Sequence, residues 1–308
     1  MYMKFITILK RTPLTNILLV GVGFLLVVLH IFKKQKHIEG FQQEEKFVLK
    51  KNEEVYDDFY VNIYDALIYE PYKKDYEVTK IIETTKMNKN SLVLDVGSGI
   101  GHHIAELTKL NVPAVGLETS RAMIKKCRDV YGPKIDVKYA NAMDSMLFET
   151  SQFSHIMCMF YTFYYLKSQE AFLRNCNKWL RHNGYLIIHI VNRNKFDPIL
   201  PPSELFSASP QKFMKEGERI TKSMVKFNGY KYEAEFKEDY ENNKGTFSEI
   251  FTDDDTGHIR KNIHTLLMKS RKQYEKMFSD FGFKTKTVLN LSEIGYHSQF
   301  LYFLQKEN

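Results

Sequence analysis

A chain of 308 residues with 44% apolar and 14% aromatic content has room for one large domain and an appendage, and enough apolar side chains to exclude a disordered or fibrous protein. The net charge of +7 is unevenly placed: residues 1–54 carry 9 Lys/Arg against 5 Asp/Glu and the remainder 35 against 32, a balance that argues against a broad nucleic-acid footprint. Cys127, Cys158 and Cys176 lack metal-ligand spacing and read as core thiols of a reducing compartment.

Thr12 to Phe32 is a run of 21 residues without Asp, Glu, Lys or Arg. As a helix it is long enough to span a hydrocarbon core. Lys4, Lys10 and Arg11 precede it, and Lys33, Lys34 and Lys36 follow, where a signal peptide would need small residues. Residues 1–36 are therefore expected to be a single-pass membrane anchor with its span at about 14–32. Residues 37–54 are expected to be a charged tether, and residues 55–308 the globular domain. The more basic C-terminal flank puts that domain on the cytosolic side. Val55–Lys86, rich in Tyr and acids, reads as one or two helices that either cover the site as a lid or pack on the sheet edge.

Residues 93–101, Val-Leu-Asp-Val-Gly-Ser-Gly-Ile-Gly, read as a buried strand ending in an acid, then a glycine turn where backbone passes close to a ligand. A helix from His102 to Leu110 would aim its N-terminal N–H groups at the same ligand. The third glycine falls two residues after the second, not the three of a dinucleotide-binding turn, which leaves a dehydrogenase the weakest contender. This segment resembles motif I of the class I S-adenosylmethionine (SAM) dependent methyltransferases.

The following elements keep the order of that family. Asn111–Glu118 reads as the second strand, and Glu118 ends it 17 residues beyond Gly101, where an acid can accept from ribose hydroxyls. Thr119-Ser120 open a helix. Strand Ile135–Tyr139 runs into Asn141-Ala142-Met143-Asp144, the loop that holds adenine in the family. Asn141 stands where the family often has an acid, and Asp144 is a candidate to replace it. Phe153–Phe160 is the fourth strand. A helix over Gln169–Arg181 stops at Asn183-Gly184, and Tyr185–Val191 is the fifth strand. Lys284–Leu291 and Tyr296–Leu304 resemble the closing strand pair. Residues 195–268 form an insertion. It opens with the Pro-rich loop Asp197–Pro202, and four alternating stretches follow, expected as a small antiparallel sheet over the active site.

The resemblance implies a doubly wound α/β Rossmann-like sheet of seven strands, six parallel and one antiparallel, with SAM as cofactor. It implies that Asp95, Gly97, Ser98, Gly99 and Gly101 hold the methionine end, Glu118 the ribose, and Asn141, Ala142 and Met143 the adenine, with Met159 beside them. No metal is expected, and Asp253–Asp255 reads as a solvated turn.

For catalysis, Tyr161, Tyr164 and Tyr165 follow strand four, where a hydroxyl can orient an acceptor or pack as an aromatic. His189, inside strand five, is either a base or a satisfied core histidine. Asn192 and Arg193 are candidates for a substrate anion. His102 and His103 open the first helix without a catalytic assignment, and His264 and His297, on expected strands, remain unassigned. The expected reaction is methyl transfer to O or N of a small or lipid-like acceptor near a membrane. A protein or RNA methyltransferase and an inactive SAM-binding scaffold are the alternatives.

Overall fold

The computed structural model describes residues 45–68, 70–195, 222–227 and 229–307. The expected anchor and the loop 197–202 lie outside the described residues. Among those described, no helix is long and apolar enough to cross a membrane.

In chain order the elements begin with β1 (Phe47–Lys51), α1 (Asp58–Ile68) and α2 (Pro71–Thr85). Next come β2 (Val93–Val96), α3 (His102–Lys109), β3 (Ala114–Glu118), α4 (Arg121–Tyr131), β4 (Val137–Tyr139) and β5 (Phe153–Cys158). Then follow α5 (Thr162–Tyr165), α6 (Gln169–Trp179), β6 (Leu180–Val191), β7 (Lys222–Phe227), β8 (Tyr230–Asp239), β9 (Lys244–Asp253) and β10 (Ile259–Leu267). The chain closes with α7 (Arg271–Asp280), β11 (Phe283–Asn290) and β12 (Gln299–Lys306).

Seven strands form one sheet in the order β11-β12-β6-β5-β2-β3-β4. Only β12 runs antiparallel to its neighbours, with Leu301 opposite His189 and Tyr302 opposite Val288. The expected six-plus-one arrangement is therefore present. β2 lies inside the sheet, buried along its whole length between β3 and β5, which is why it reads as an unbroken apolar run around Asp95. Local signals start the helices. Pro71 occupies the first turn of α2, Ser120 accepts the Met123 N–H at 3.1 Å, and Ser168 accepts the Ala171 N–H at 3.1 Å.

α2 packs Val78 and Ile81 into the core with Leu107, Leu301 and Phe303. It thus packs on a face of the sheet, over β2, β5, β6 and β12, and not on its edge, and its other face reaches the site described below. On the other side Trp179 is fully buried against Phe148, whose ring also meets Phe153 edge-on at 4.8 Å.

The insertion differs from expectation in one respect. Its four strands form the antiparallel meander β7-β8-β9-β10, but a fifth strand completes the sheet. β1 adds in parallel to β10, Phe47 opposite Ile259 and Lys51 opposite Ile263. Residues 47–51 are thus not tether: Phe-Val-Leu followed by two lysines pairs its backbone with the sheet edge and leaves alternate side chains exposed. Two smaller corrections concern strand ends. α6 stops at Trp179 and β6 begins at once, with residues 181–184 carried in an irregularity of the β5–β6 register. His297 sits exposed in the turn before β12 and not on a strand.

Gly116 in β3 shows how tightly the site is seated on the sheet. A Cβ there would lie 2.5 Å from both Ile104 Cδ1 and Ser98 Oγ. Gly116→Ala is expected to destabilise the protein by about 1–3 kcal/mol in urea unfolding, the usual penalty for overpacking. An unchanged unfolding midpoint would show that α3 and the glycine turn give way freely.

Candidate active site

The carboxyl ends of β2, β3 and β5 open onto one cavity of about 220 Å³. Asp95, Gly97, Ser98, Gly99, Glu118, Asn141, Ala142, Met143 and Met159 all line it, as does Tyr161. Gly101 does not. It takes φ +86° as the N-cap of α3, and a Cβ there would meet Cys127 Sγ at 2.8 Å, so its role is to let α3 start and pack.

Glu118 ties the turn together. Its carboxylate accepts the Gly99 N–H at 2.9 Å, the Thr119 N–H at 2.7 Å and the Ser120 N–H at 2.8 Å. Burial raises its pKa above the ordinary carboxylate value, although those three donors pull the other way. A carboxylate offers about four acceptor positions, so capacity remains for a hydroxyl donor from the cavity. Asp95 is in a different state. It is 1% exposed, and neither carboxylate oxygen has a hydrogen-bond partner among the described residues. Burial pushes its pKa up to about 6, against a weaker opposing pull from His103. A buried carboxylate without a donor calls for a cationic or N–H-bearing ligand. At Gly99, φ is +55° and a Cβ would meet nothing within 4 Å, so backbone presents directly to open cavity.

The adenine-loop candidates are held from below, where the Asn175 amide donates to Ala142 O at 2.8 Å. Asp144 does not supply a second carboxylate. It lies outside the cavity lining, and its Oδ1 accepts the Met146 N–H at 2.9 Å, closing its own turn. From above, Tyr56, Tyr64, Lys73 and Glu77 complete the wall, so the segment before β2 also serves as a cover. Lys73 and Glu77 pair at 2.9 Å, both buried. Burial alone would raise the Glu77 carboxyl, but Lys73 and then His103 outweigh it and hold it at about 2. His102, also in the lining, is held between Tyr131 and Asp65.

The catalytic candidates separate clearly. Tyr161 lines the cavity. Tyr164 does not, because its hydroxyl accepts the Val191 N–H at 2.7 Å in the core. His189 is fully buried outside the lining. Its Nδ1 donates to Phe160 O at 2.9 Å and its Nε2 meets the Gln299 amide at 3.0 Å. Burial holds its pKa down at about 4, so it stays neutral and steadies Phe160, which carries an unusual φ of +51°. Arg193 is not placed for a substrate anion. It donates to Asn243 Oδ1 and Met268 O, both at 2.7 Å, tying β6 to the insertion, and Asn192 binds Ser298 O through its backbone. Cys158 is a fully buried core thiol.

Glu249 and His264 have no role that the sequence alone assigns. Both are 1% exposed on the inner face of the insertion sheet. His264 Nε2 meets Glu249 Oε2 at 2.8 Å, and its Nδ1 meets the Tyr165 hydroxyl at 2.6 Å. Tyr165 in turn lines the main cavity. The available signal was three polar residues, Arg260, Asn262 and His264, at alternate positions of one strand, all buried.

A methyltransferase-domain family profile matches residues 93–184. No curated protein matches the chain. Among solved structures, the CcbJ methyltransferase from Streptomyces caelestis is 16% identical, with a TM-score of 0.63 over 83% of this chain and 99% of its own. CalS10, a SAM-bound amino pentose methyltransferase from Micromonospora echinaspora, is 17% identical, with a TM-score of 0.53 over 78% of this chain and 98% of its own. KedS8, a sugar N-methyltransferase from Streptoalloteichus, is 17% identical, with a TM-score of 0.55 over 77% of this chain and 88% of its own. At these identities the likeness establishes the fold. With the domain match over the glycine turn and the cavity it frames, the class is that of a SAM-dependent methyltransferase, with SAM as its cofactor.

Asp95, Gly97, Ser98, Gly99, Glu118, Asn141, Ala142 and Met143, the residues expected to hold that cofactor, share one cavity wall, and were SAM bound there the unpartnered Asp95 carboxylate would suit its ammonium end. Gly99→Arg fills the open side of the turn. It is expected to abolish SAM binding in calorimetry while leaving unfolding within about 1–2 kcal/mol of the wild type, the scale of a left-handed non-glycine residue. Undiminished affinity would remove the turn from the site.

Asp95 also makes a pH prediction. Its folded pKa lies above its unfolded value of 3.8, so the empty protein is favoured at low pH and loses stability as pH rises through about 6. The shift corresponds to roughly 3 kcal/mol at pH 8. Asp95→Asn should therefore raise the melting temperature of the empty protein at pH 8 while weakening SAM binding. A lower melting temperature would show that Asp95 is already compensated.

Proposed function

We propose that the chain transfers the methyl group of SAM to O or N of a small-molecule or lipid-like acceptor, and that Thr12–Phe32 tethers it to a membrane with the catalytic domain in the cytosol. The observation that carries the acceptor reading is a second chamber behind the cofactor cavity. It measures about 20 Å³ and is walled by the insertion sheet. It shares Tyr56, Phe160, Tyr161 and Tyr165 with the main cavity. A chamber of that size admits a single group on the scale of a water or an ammonium, and no folded polymer. The printed names of CalS10 and KedS8 give sugar acceptors for those two proteins, in line with a small acceptor here.

The cofactor supplies an activated methyl on sulfur when bound, and the remaining work belongs to the chain. The insertion sheet and α1 exclude water. Tyr161 and Tyr165 stand where β5 ends and can orient the acceptor's nucleophilic atom.

The test is incubation of the full-length chain with methyl-tritiated SAM and fractionated cell extract. Label is expected in the small-molecule or lipid fraction. Label confined to protein or RNA would overturn the acceptor class, and no label anywhere would leave the scaffold reading. Separately, the full chain should sediment with membranes and a chain lacking residues 1–36 should not. Equal distribution of the two would remove the tether.

A further inference from the structure

The far wall of the second chamber is built in an unusual way. Its floor is a carboxylate, Glu249, enclosed by polar donors. Tyr232 donates to it at 2.9 Å, Tyr60 at 3.2 Å and the Asn262 amide at 3.4 Å, while His264 Nε2 stands at 2.8 Å. A sheet face that served packing alone would carry apolar groups at these positions, as it does at Phe251 and Leu266. Nor is the charge there to pair with an arginine. Arg260, one strand position pair away, binds Asp57 at 2.9 Å and gives its Nε to Asn262. The ion-pair partner of Glu249 among the described residues is His264, which is charged only when protonated.

The chain of contacts leads back to the cofactor. With Nε2 facing a carboxylate, that nitrogen carries the imidazole hydrogen, so Nδ1 is the acceptor and the Tyr165 hydroxyl donates to it. Tyr56 is hydrogen-bonded to Tyr165 and lines both cavities. Around this path stand the rings of Tyr56, Tyr60, Phe160, Tyr161 and Tyr232. Aromatic faces around a buried carboxylate are the recognition chemistry of an ammonium group.

We propose that this chamber receives the acceptor through a cationic amine, and that the Tyr165–His264–Glu249 chain takes the amine's proton so that the nitrogen can be methylated. The proposal rests on the methyltransferase reading. A protonated amine has no lone pair to offer. Its proton passes to Tyr165 Oη while the Tyr165 hydroxyl proton passes to His264 Nδ1, leaving an imidazolium against Glu249. The freed lone pair then forms the N–C bond. The C–S bond pair stays on sulfur, giving a neutral thioether and a methylated ammonium. Burial keeps the Tyr165 phenol well above its ordinary pKa, so it acts as a neutral relay and not as a stored phenolate.

The test uses full-length chain saturated with S-adenosylhomocysteine and titrated calorimetrically with two small probes of one shape. Methylammonium carries the charge and the N–H protons, and methanol does not. Methylammonium is expected to bind at least tenfold more tightly. Glu249→Gln should abolish that preference with S-adenosylhomocysteine affinity unchanged, and Tyr165→Phe, which keeps the ring, should retain it. Equal affinity for the two probes in the wild type, or no binding of either, would overturn the amine site whatever the variants do. Failure of S-adenosylhomocysteine itself to bind would instead overturn the methyltransferase reading beneath it.

Discussion

Two carboxylates at the ends of adjacent parallel strands, Asp95 buried and Glu118 half-buried, set the terms for this molecule. Glu118 is satisfied by three backbone N–H groups, and in accepting them it fixes the glycine turn in space. Asp95 has no such donors and sits almost wholly out of water. Holding an uncompensated acid inside a sheet is unfavourable, and a ligand with positive charge would relieve it. Neighbouring groups are arranged about that acid. Gly99 opens the backbone to the cavity, Gly101 lets α3 begin beside it, and α2 covers it with the buried Lys73–Glu77 pair.

The part of the fold that was legible in the sequence is the part dictated by backbone constraints. Three glycines, each with positive φ, cannot be read as ordinary strand or helix, and they located the turn. Apolar runs ending in Asp95 and Glu118 located β2 and β3, and β2, buried on both faces, leaves no polar alternation to confuse it. Turn residues between alternating stretches located the meander of the insertion.

What was not legible depended on partners distant in sequence. Phe47–Lys51 looks like a charged linker until β10 is placed beside it. Lys73 and Glu77 have the i, i+4 spacing of a common surface ion pair, and nothing local says that both are buried. His189 reads equally as base or core residue until Phe160 O and Gln299 are found on either side of it. Asp144 suggested a cofactor contact by position alone, but closes its own turn. Glu249 and His264 are 15 residues apart, and His264 meets Tyr165 from another element altogether, so only the sheet register, with Asn262 opposite Glu249, brings the two together.

The central claim is that the cavity over Asp95 and the glycine turn is a SAM site. The most direct measurement is calorimetric titration of the full chain with SAM and, in parallel, with NAD. The account predicts saturable one-to-one binding of SAM and no response to NAD. Binding of NAD, or no binding of SAM, would contradict it.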